Sequence, residues 1–192
     1  RDLDAWNTSF QTSSRSLDSA FKMVFKESSG VELQEIVLYT NFATVNGSLQ
    51  QFQENAMNCF LDMFNPVQHE QVLAIVTKTE FTRYNQLKIR FILLLKQEFI
   101  DDQSHALDSS CFSHFKDFVE RNNSYFLLHE NGFLNGFLYD NRICKNHSDF
   151  KEQLQRLKTY LVDTDVLFRV VDTNPTCKVL YIKDPKKNQE GI

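Results

Sequence analysis

The chain contains few of the residues that force turns, and it has no long apolar run. Only 5 glycines and 3 prolines occur among its 192 residues. That composition excludes collagen-like and low-complexity proteins and favours helices joined by short connections. No apolar run approaches the roughly 20 residues that a membrane-spanning helix requires. A net charge of −4 gives no overall attraction to nucleic acid. What remains is a globular chain, long enough for one domain or two small ones.

The sequence also lacks the short motifs that mark enzymes. His69-Glu70 is not followed by the second histidine of HExxH, because Leu73 stands at that position. There is no phosphate-binding glycine loop, no GxSxG turn and no cysteine in a recognisable nucleophile context. We therefore expect no catalytic residue, no metal and no cofactor. A cleft in which a thiol, an imidazole and an acid meet would contradict this expectation.

Phenylalanine is the abundant residue, with 18 copies. Each aromatic side chain can bury about 150–250 Å² of surface, so few positions are needed to close a core. The alternative use of these side chains is a groove that binds a partner. Together with the start at Arg1 rather than Met, this composition favours a non-catalytic protein-interaction or assembly domain of a larger intracellular protein, nuclear or cytoplasmic.

Hydrophobic spacing predicts that residues 1–103 form a helical region. Apolar residues recur at helical intervals from Leu17 to Phe25, before a stop at Gly30. A capping box of Ser48 and Gln51 opens a second helix, which Pro66 closes. Three further stretches are interpreted as helices, although the β-branched content of the first and the alternation in the last leave a strand open: residues 31–45, 68–79 and 87–100.

Residues 109–187 predict a different arrangement, after a polar loop at 101–108. A helix bearing Phe112, Phe115 and Val119 precedes a hairpin at Asn131-Gly132. A helix over 149–161 and a hairpin around 173–176 complete the pattern. The predicted fold class is α+β, with a helical amino-terminal part packed on a helix-hairpin-helix-hairpin tail. The two regions could also form one continuous domain.

The final helix and hairpin, residues 148–183, are typical of the carboxyl-terminal half of a winged helix. Residues 141–187 hold ten Lys and Arg against six acids, whereas residues 1–140 hold 11 against 18. Local positive charge is what contact with phosphate requires. An alternative function is therefore a winged-helix-like nucleic-acid-binding domain, for which the candidate binding residues are Arg142, Lys145, Arg156, Lys158, Lys178 and Lys183.

Two Cys-x2-His units, Cys111–His114 and Cys144–His147, contain the ligand types of a tetrahedral zinc site. Neither has the glycine or proline of a zinc knuckle, so we favour buried cysteine and solvated histidine over a metal. Four cysteines also permit two disulfides. A secreted helical ligand is thus a third interpretation, with glycosylation sequons at Asn7, Asn46, Asn122 and Asn146.

Overall fold

A computed structural model describes residues 2–41, 49–64, 70–81, 86–96, 112–122, 124–129, 141–162 and 177–182. These residues contain four helices: α1 (Asp2–Glu27), α2 (Leu49–Asp62), α3 (Ser113–Arg121) and α4 (Phe150–Val162). They also contain six strands: β1 (Gly30–Asn41), β2 (Val72–Phe81), β3 (Gln86–Lys96), β4 (Tyr125–His129), β5 (Arg142–Cys144) and β6 (Cys177–Ile182).

The six strands form one antiparallel sheet in the order β4-β1-β3-β2-β6. The outer edge of β1 is shared by two short strands. β5 pairs with its first three residues, from Gly30 to Glu32, and β4 pairs with Glu35 to Tyr39. The long strands β1, β3 and β2 therefore make the centre of the sheet.

The predicted helical region is wrong, because residues 31–45, 68–79 and 87–100 contribute β1, β2 and β3. The physical reason is burial on both sides of the sheet. Along β3, Leu87, Ile89 and Phe91 face one helical layer, while Ile92 and Leu94 face the other. A strand covered on both faces reads as a continuous apolar run, and such a run also fits a helical stripe.

The predicted helix-hairpin-helix-hairpin module with a winged-helix-like end is also wrong. β4 and β5 pair with β1, and β6 pairs with β2, so the tail adds strands to the sheet built by the first half. The other predicted arms of the two hairpins, residues 133–139 and 166–172, lie outside the described residues. Helices do occur where the spacing predicts them before Gly30, after Ser48, and across α3 and α4. The α+β class is confirmed.

The two faces of the sheet are covered by different pairs of helices. α1 and α4 cover one side, here called the α1–α4 face, where Leu17, Phe21 and Tyr160 join the buried cluster. α2 and α3 cover the opposite side, the α2–α3 face, where Phe60 and Phe115 lie in the second cluster. None of the described helices combines the length and apolar character needed to span a bilayer.

The α2–α3 face confirms the predicted aromatic core. The Phe60 ring stacks on Phe91 with centroids 3.9 Å apart, and it meets Phe64 and Phe115 edge-on at 5.5 and 5.3 Å. Phe60, Phe91 and Phe115 have no exposed surface. Edge-to-face and stacked pairs of this kind add to the stabilisation that burial alone provides.

Candidate functional site

A groove of about 680 Å³ lies between α1 and α4 on the outer surface of the α1–α4 face. Its apolar lining comes from both helices: Phe21 and Phe25 from α1, and Phe150 and Leu154 from α4. Phe25 and Phe150 meet edge-on across the groove, with ring centroids 4.9 Å apart. The floor is therefore aromatic and fixed by ring packing.

Five lysines surround this floor: Lys22, Lys26, Lys145, Lys151 and Lys158. Asp18 is the acid that lines the groove with them. Its two carboxylate oxygens each lie 2.9 Å from Lys158 Nζ. Within the described part of the chain, the other four lysines are exposed and form no ion pair. The groove thus combines an apolar base with an excess of unneutralised positive charge.

The groove has two chemically different ends. Because α1 and α4 run antiparallel, the last turn of α1 lies beside the first turn of α4, and Asp18 lies beside Lys158. At one end, Lys145 N–H donates to the Ser29 carbonyl at 2.8 Å, which holds the start of α4 beside the end of α1. Lys26, Lys145 and Lys151 cluster at this end. At the other end, the Asp18–Lys158 ion pair joins the helices. Eight residues of helix from Asp18 to Lys26 span about 12 Å, roughly two helical turns.

The structure brings only some of the predicted nucleic-acid-binding residues together. Lys145 and Lys158 line the groove, the latter paired with Asp18. Arg142 lies on β5 and pairs with Glu32 at 3.3 Å, and Arg156 pairs with Glu152 at 2.7 Å, one turn earlier on α4. Lys178 is placed on β6, and Lys183 lies outside the described residues. Whether any of these residues contacts nucleic acid stays a prediction.

A buried ionic network lies under the carboxyl-terminal end of α4. Glu35 on β1 accepts hydrogen bonds at Oε1 from Arg90 Nη1, at 2.6 Å, and from the Tyr160 hydroxyl, at 3.0 Å. Arg90 Nε also donates to Glu80 Oε2 at 3.0 Å. Lys78 Nζ donates to the Tyr160 backbone carbonyl at 2.6 Å and lies 3.5 Å from Glu80 Oε1. Strands β1, β2 and β3 and helix α4 are thereby joined by hydrogen bonds that involve charged groups, which are stronger than hydrogen bonds between neutral groups.

The network is buried except at Glu80, whose side chain is 28% exposed. The side chains of Glu35, Lys78 and Arg90 are 1%, 1% and 3% exposed. Glu35 Oε2 is buried without a hydrogen-bond partner among the described residues. Burial, reinforced by the nearby Glu35 carboxylate, raises the pKa of Tyr160 far above its ordinary value. Tyr160 therefore stays a neutral hydrogen-bond donor, a property suited to holding α4 on the sheet.

A row of polar side chains continues the network toward the surface. Register places Glu80, Lys88, Tyr39 and Tyr125 side by side across β2, β3, β1 and β4. Tyr39 and Tyr125 stack with ring centroids 5.0 Å apart, and Lys88 Nζ lies 5.4 Å from the Tyr39 centroid. Burial lowers the pKa of Lys88, an effect strengthened by Arg90. Tyr125 is 49% exposed, so the row forms the solvent end of the network.

A second cavity, of about 490 Å³, lies between α2 and α3. Cys59, Asp62 and His114 all line it. A thiol, an acid and an imidazole therefore share one cavity, which is the combination that would contradict a non-catalytic chain if the three groups were in contact. Their contacts do not make a nucleophile. The Cys59 thiol lies 3.7 Å from the His114 backbone carbonyl, to which it donates. Burial, aided by Asp62, raises the pKa of this thiol, which favours the unreactive protonated form.

The predicted zinc ligands are not gathered at one place. His114 lies on α3, on the α2–α3 face. Cys144 ends β5, and His147 N–H donates to its carbonyl at 3.1 Å in the turn before α4. Cys111 lies outside the described residues. Among the described side chains, no group of three or more His, Cys, Asp or Glu is arranged to hold a metal ion. Neither Cys59 nor Cys144 is part of a disulfide bond.

The chain matches no known protein-family model, no curated protein and no solved structure. Three features of the structure bear on function: the groove, the buried network and the cavity between α2 and α3. Among these three, the network consists of side chains bonded to one another, and the cavity holds a protonated thiol. Of the three features, the groove combines lysines that form no ion pair among the described residues with the half-buried side chains of Phe150 and Leu154.

Sequence reasoning missed Lys22 and Lys26, which belong to the same groove as Lys145 and Lys158. A signal was present, since Lys22 and Lys26 are four residues apart and so share one side of α1. The pairing of α1 with α4 could not be read from the sequence, because more than 120 residues separate Lys22 from Lys145. The buried network was missed for the same reason: its members come from β1, β2, β3 and α4.

Proposed function

We propose that this chain is a non-catalytic protein-interaction domain that binds an acidic, amphipathic helical segment of a partner protein in the α1–α4 groove. The observation that carries the proposal is the joint presence of an aromatic floor and four lysines that form no ion pair with any described residue. An amphipathic helix recognised in a groove places its apolar face on the floor and its charged edges against the rims.

The dimensions of the groove support a short helical segment. A length of about 12 Å accommodates about two turns, with one or two apolar side chains over the half-buried Phe150 and Leu154. Lysines on both rims would then flank the bound helix, with Lys22 and Lys26 on one side and Lys151 on the other. Charge complementarity of this kind raises the rate of association and selects among partners.

Nucleic acid is a weaker candidate for the same groove. Arg142 on β5 and Arg156 on α4, two of the predicted phosphate-binding residues, are already paired with Glu32 and Glu152. Binding dominated by phosphate contacts also needs no aromatic floor of this length. The aromatic floor and the short basic rim together favour a peptide.

The test is a titration by fluorescence anisotropy with a labelled synthetic amphipathic helix that carries Glu along both edges and Leu and Phe on one face. We expect binding that weakens as sodium chloride rises from 50 to 300 mM, because exposed charges are screened over about 8–10 Å. Lys151→Glu should weaken binding about five- to tenfold at low salt.

The matched control is Lys116→Glu, which reverses an exposed lysine on α3, on the opposite face of the sheet. It should leave the affinity for the peptide unchanged. An oligonucleotide and a vesicle of anionic lipid serve as competing probes. The proposal is wrong if either competitor binds in a Lys151-dependent way while the peptide does not, or if K116E and K151E act equally.

A further inference from the structure

The positive charge of the groove is distributed unevenly along its length. Lys26, Lys145 and Lys151 stand together at one end without an acid among them. At the other end, Asp18 holds Lys158 between its two carboxylate oxygens and neutralises it. Among the charged side chains that line the groove, three lysines lie at one end, Lys22 lies about halfway along α1, and the Asp18–Lys158 pair at the other end adds no net charge.

Asp18 also presents negative charge to anything that enters its end of the groove. Its side chain is 52% exposed, whereas Lys158 is 22% exposed, so an incoming group meets the carboxylate more readily than the ammonium. An acidic side chain placed there would face a like charge and would have to compete with Asp18 for Lys158. At the opposite end, an acidic side chain meets only lysines.

Resting on the proposed function, we infer that Asp18 is a specificity-determining residue that fixes the direction of the bound segment. The segment binds with its acidic cluster at the Lys26–Lys145–Lys151 end and with neutral or apolar residues at the Asp18 end. Specificity of this kind arises from a repulsive element built against the wrong ligand as well as from attraction to the right one.

The experiment compares two synthetic amphipathic helices with the same apolar face. The first carries glutamates at one end only, and the second carries the same number of glutamates divided between both ends. We expect the wild-type chain to bind the first peptide about two- to fivefold more tightly at 50 mM salt, the range of exposed charge pairs. Asp18→Asn should abolish this preference, because the repulsion disappears and Lys158 becomes free.

Two controls separate charge from loss of structure. Asp18→Glu keeps the negative charge and should keep the preference. Glu27→Gln removes an exposed acid from the last turn of the same helix, outside the groove lining, and should also keep it. Thermal unfolding followed by circular dichroism verifies that D18N remains folded.

The outcomes distinguish the two proposals. If neither peptide binds the wild-type chain, the proposed function fails. If both bind and the ratio of their dissociation constants is the same in the wild type and in D18N, the groove binds peptides but Asp18 does not orient them, and the inference is overturned. A spin label at the acidic end of the first peptide should broaden the amide NMR signals of Lys145 and Lys151. Broadening centred on Asp18 would equally overturn it.

Discussion

The two faces of the sheet are closed in different ways. On the α2–α3 face, the rings of Phe60, Phe64, Phe91 and Phe115 pack on one another. On the α1–α4 face, an apolar cluster gives way to charged side chains, and α4 is attached through Lys78 and Tyr160. The same strands thus contribute an apolar layer on one side and a partly ionic layer on the other.

This difference shows which interactions fix the position of a helix on the sheet. Burial of apolar area is strong but has no direction, and the ring pairs of the aromatic layer have preferred geometries without a single required contact atom. Hydrogen bonds from Arg90 and Tyr160 to one carboxylate oxygen of Glu35 require a particular placement of α4. The groove whose charges we propose to be functional lies on the side of the sheet that holds its helix by directional contacts.

The largest effect is expected on the aromatic side. Phe60→Ala should lower the free energy of unfolding by about 4 kcal/mol, because it opens a cavity beside three rings. Phe60→Leu should cost about 1 kcal/mol, since it leaves much less empty volume. Urea unfolding followed by circular dichroism measures both. Small losses of unfolding free energy in both variants would show that the α2–α3 face is loosely packed. The contrast between a tightly packed aromatic face and a partly ionic face would then be wrong.

A somewhat smaller effect is expected in the ionic network. Arg90→Met should cost about 3 kcal/mol, because it leaves Glu35 buried with a single donor, Tyr160. The double variant Glu35→Leu/Arg90→Met removes both charges and should recover at least half of that loss in the same urea experiment. If the double variant is less stable than R90M, removal of the second charge brings no recovery. The cost of R90M would then not come from an unpaired buried charge on Glu35.

The smallest effect is a dependence on pH. Burial opposes ionisation of Glu80, but Arg90 and Lys78 outweigh it and hold the pKa of this carboxyl below its usual 4.5. A depressed pKa in the folded state gives stability that is present above pH 4.5 and is lost as the pH falls through the folded value. The difference in unfolding free energy between the wild type and Glu80→Gln should therefore shrink on acidification below pH 4.5.

The control for this pH series is Glu27→Gln, which removes an exposed acid at the end of α1. This carboxylate lies outside the network and shares none of its contacts. A difference for E80Q that is independent of pH would mean that Glu80 is not stabilised by the network.

Much of the helical content could be predicted from the sequence, whereas the sheet could not. The stripe from Leu17 to Phe25 and the capping box before α2 are local signals, complete within a few residues. The signals for the central strands were ambiguous: residues 31–45 are rich in β-branched side chains, and residues 87–100 fit both strand alternation and a helical stripe. Because both faces of these strands are buried, apolar residues also stand at the alternate positions, and the residues with which they pair lie far away along the chain.

The candidate site, too, could be predicted only in part from the sequence. The excess of Lys and Arg in residues 141–187 led to six candidate residues, of which Lys145 and Lys158 line the groove. Their neighbours Lys22 and Lys26 belong to the acidic first part, where net charge concealed them. Net charge averages over a region, but a binding surface depends on which few side chains the fold brings together.

The sharing of the β1 edge by β4 and β5 has a consequence for synthesis on the ribosome. When residue 96 has left the exit tunnel, β1, β2 and β3 can pair, yet both outer edges of that three-stranded sheet remain open. Among the described strands, β5 completes the cover of one edge at residue 144, and β6 covers the other at residue 182. Exposed edges invite pairing with other chains, so the nascent polypeptide passes through an aggregation-prone interval that lasts until β6 has been made.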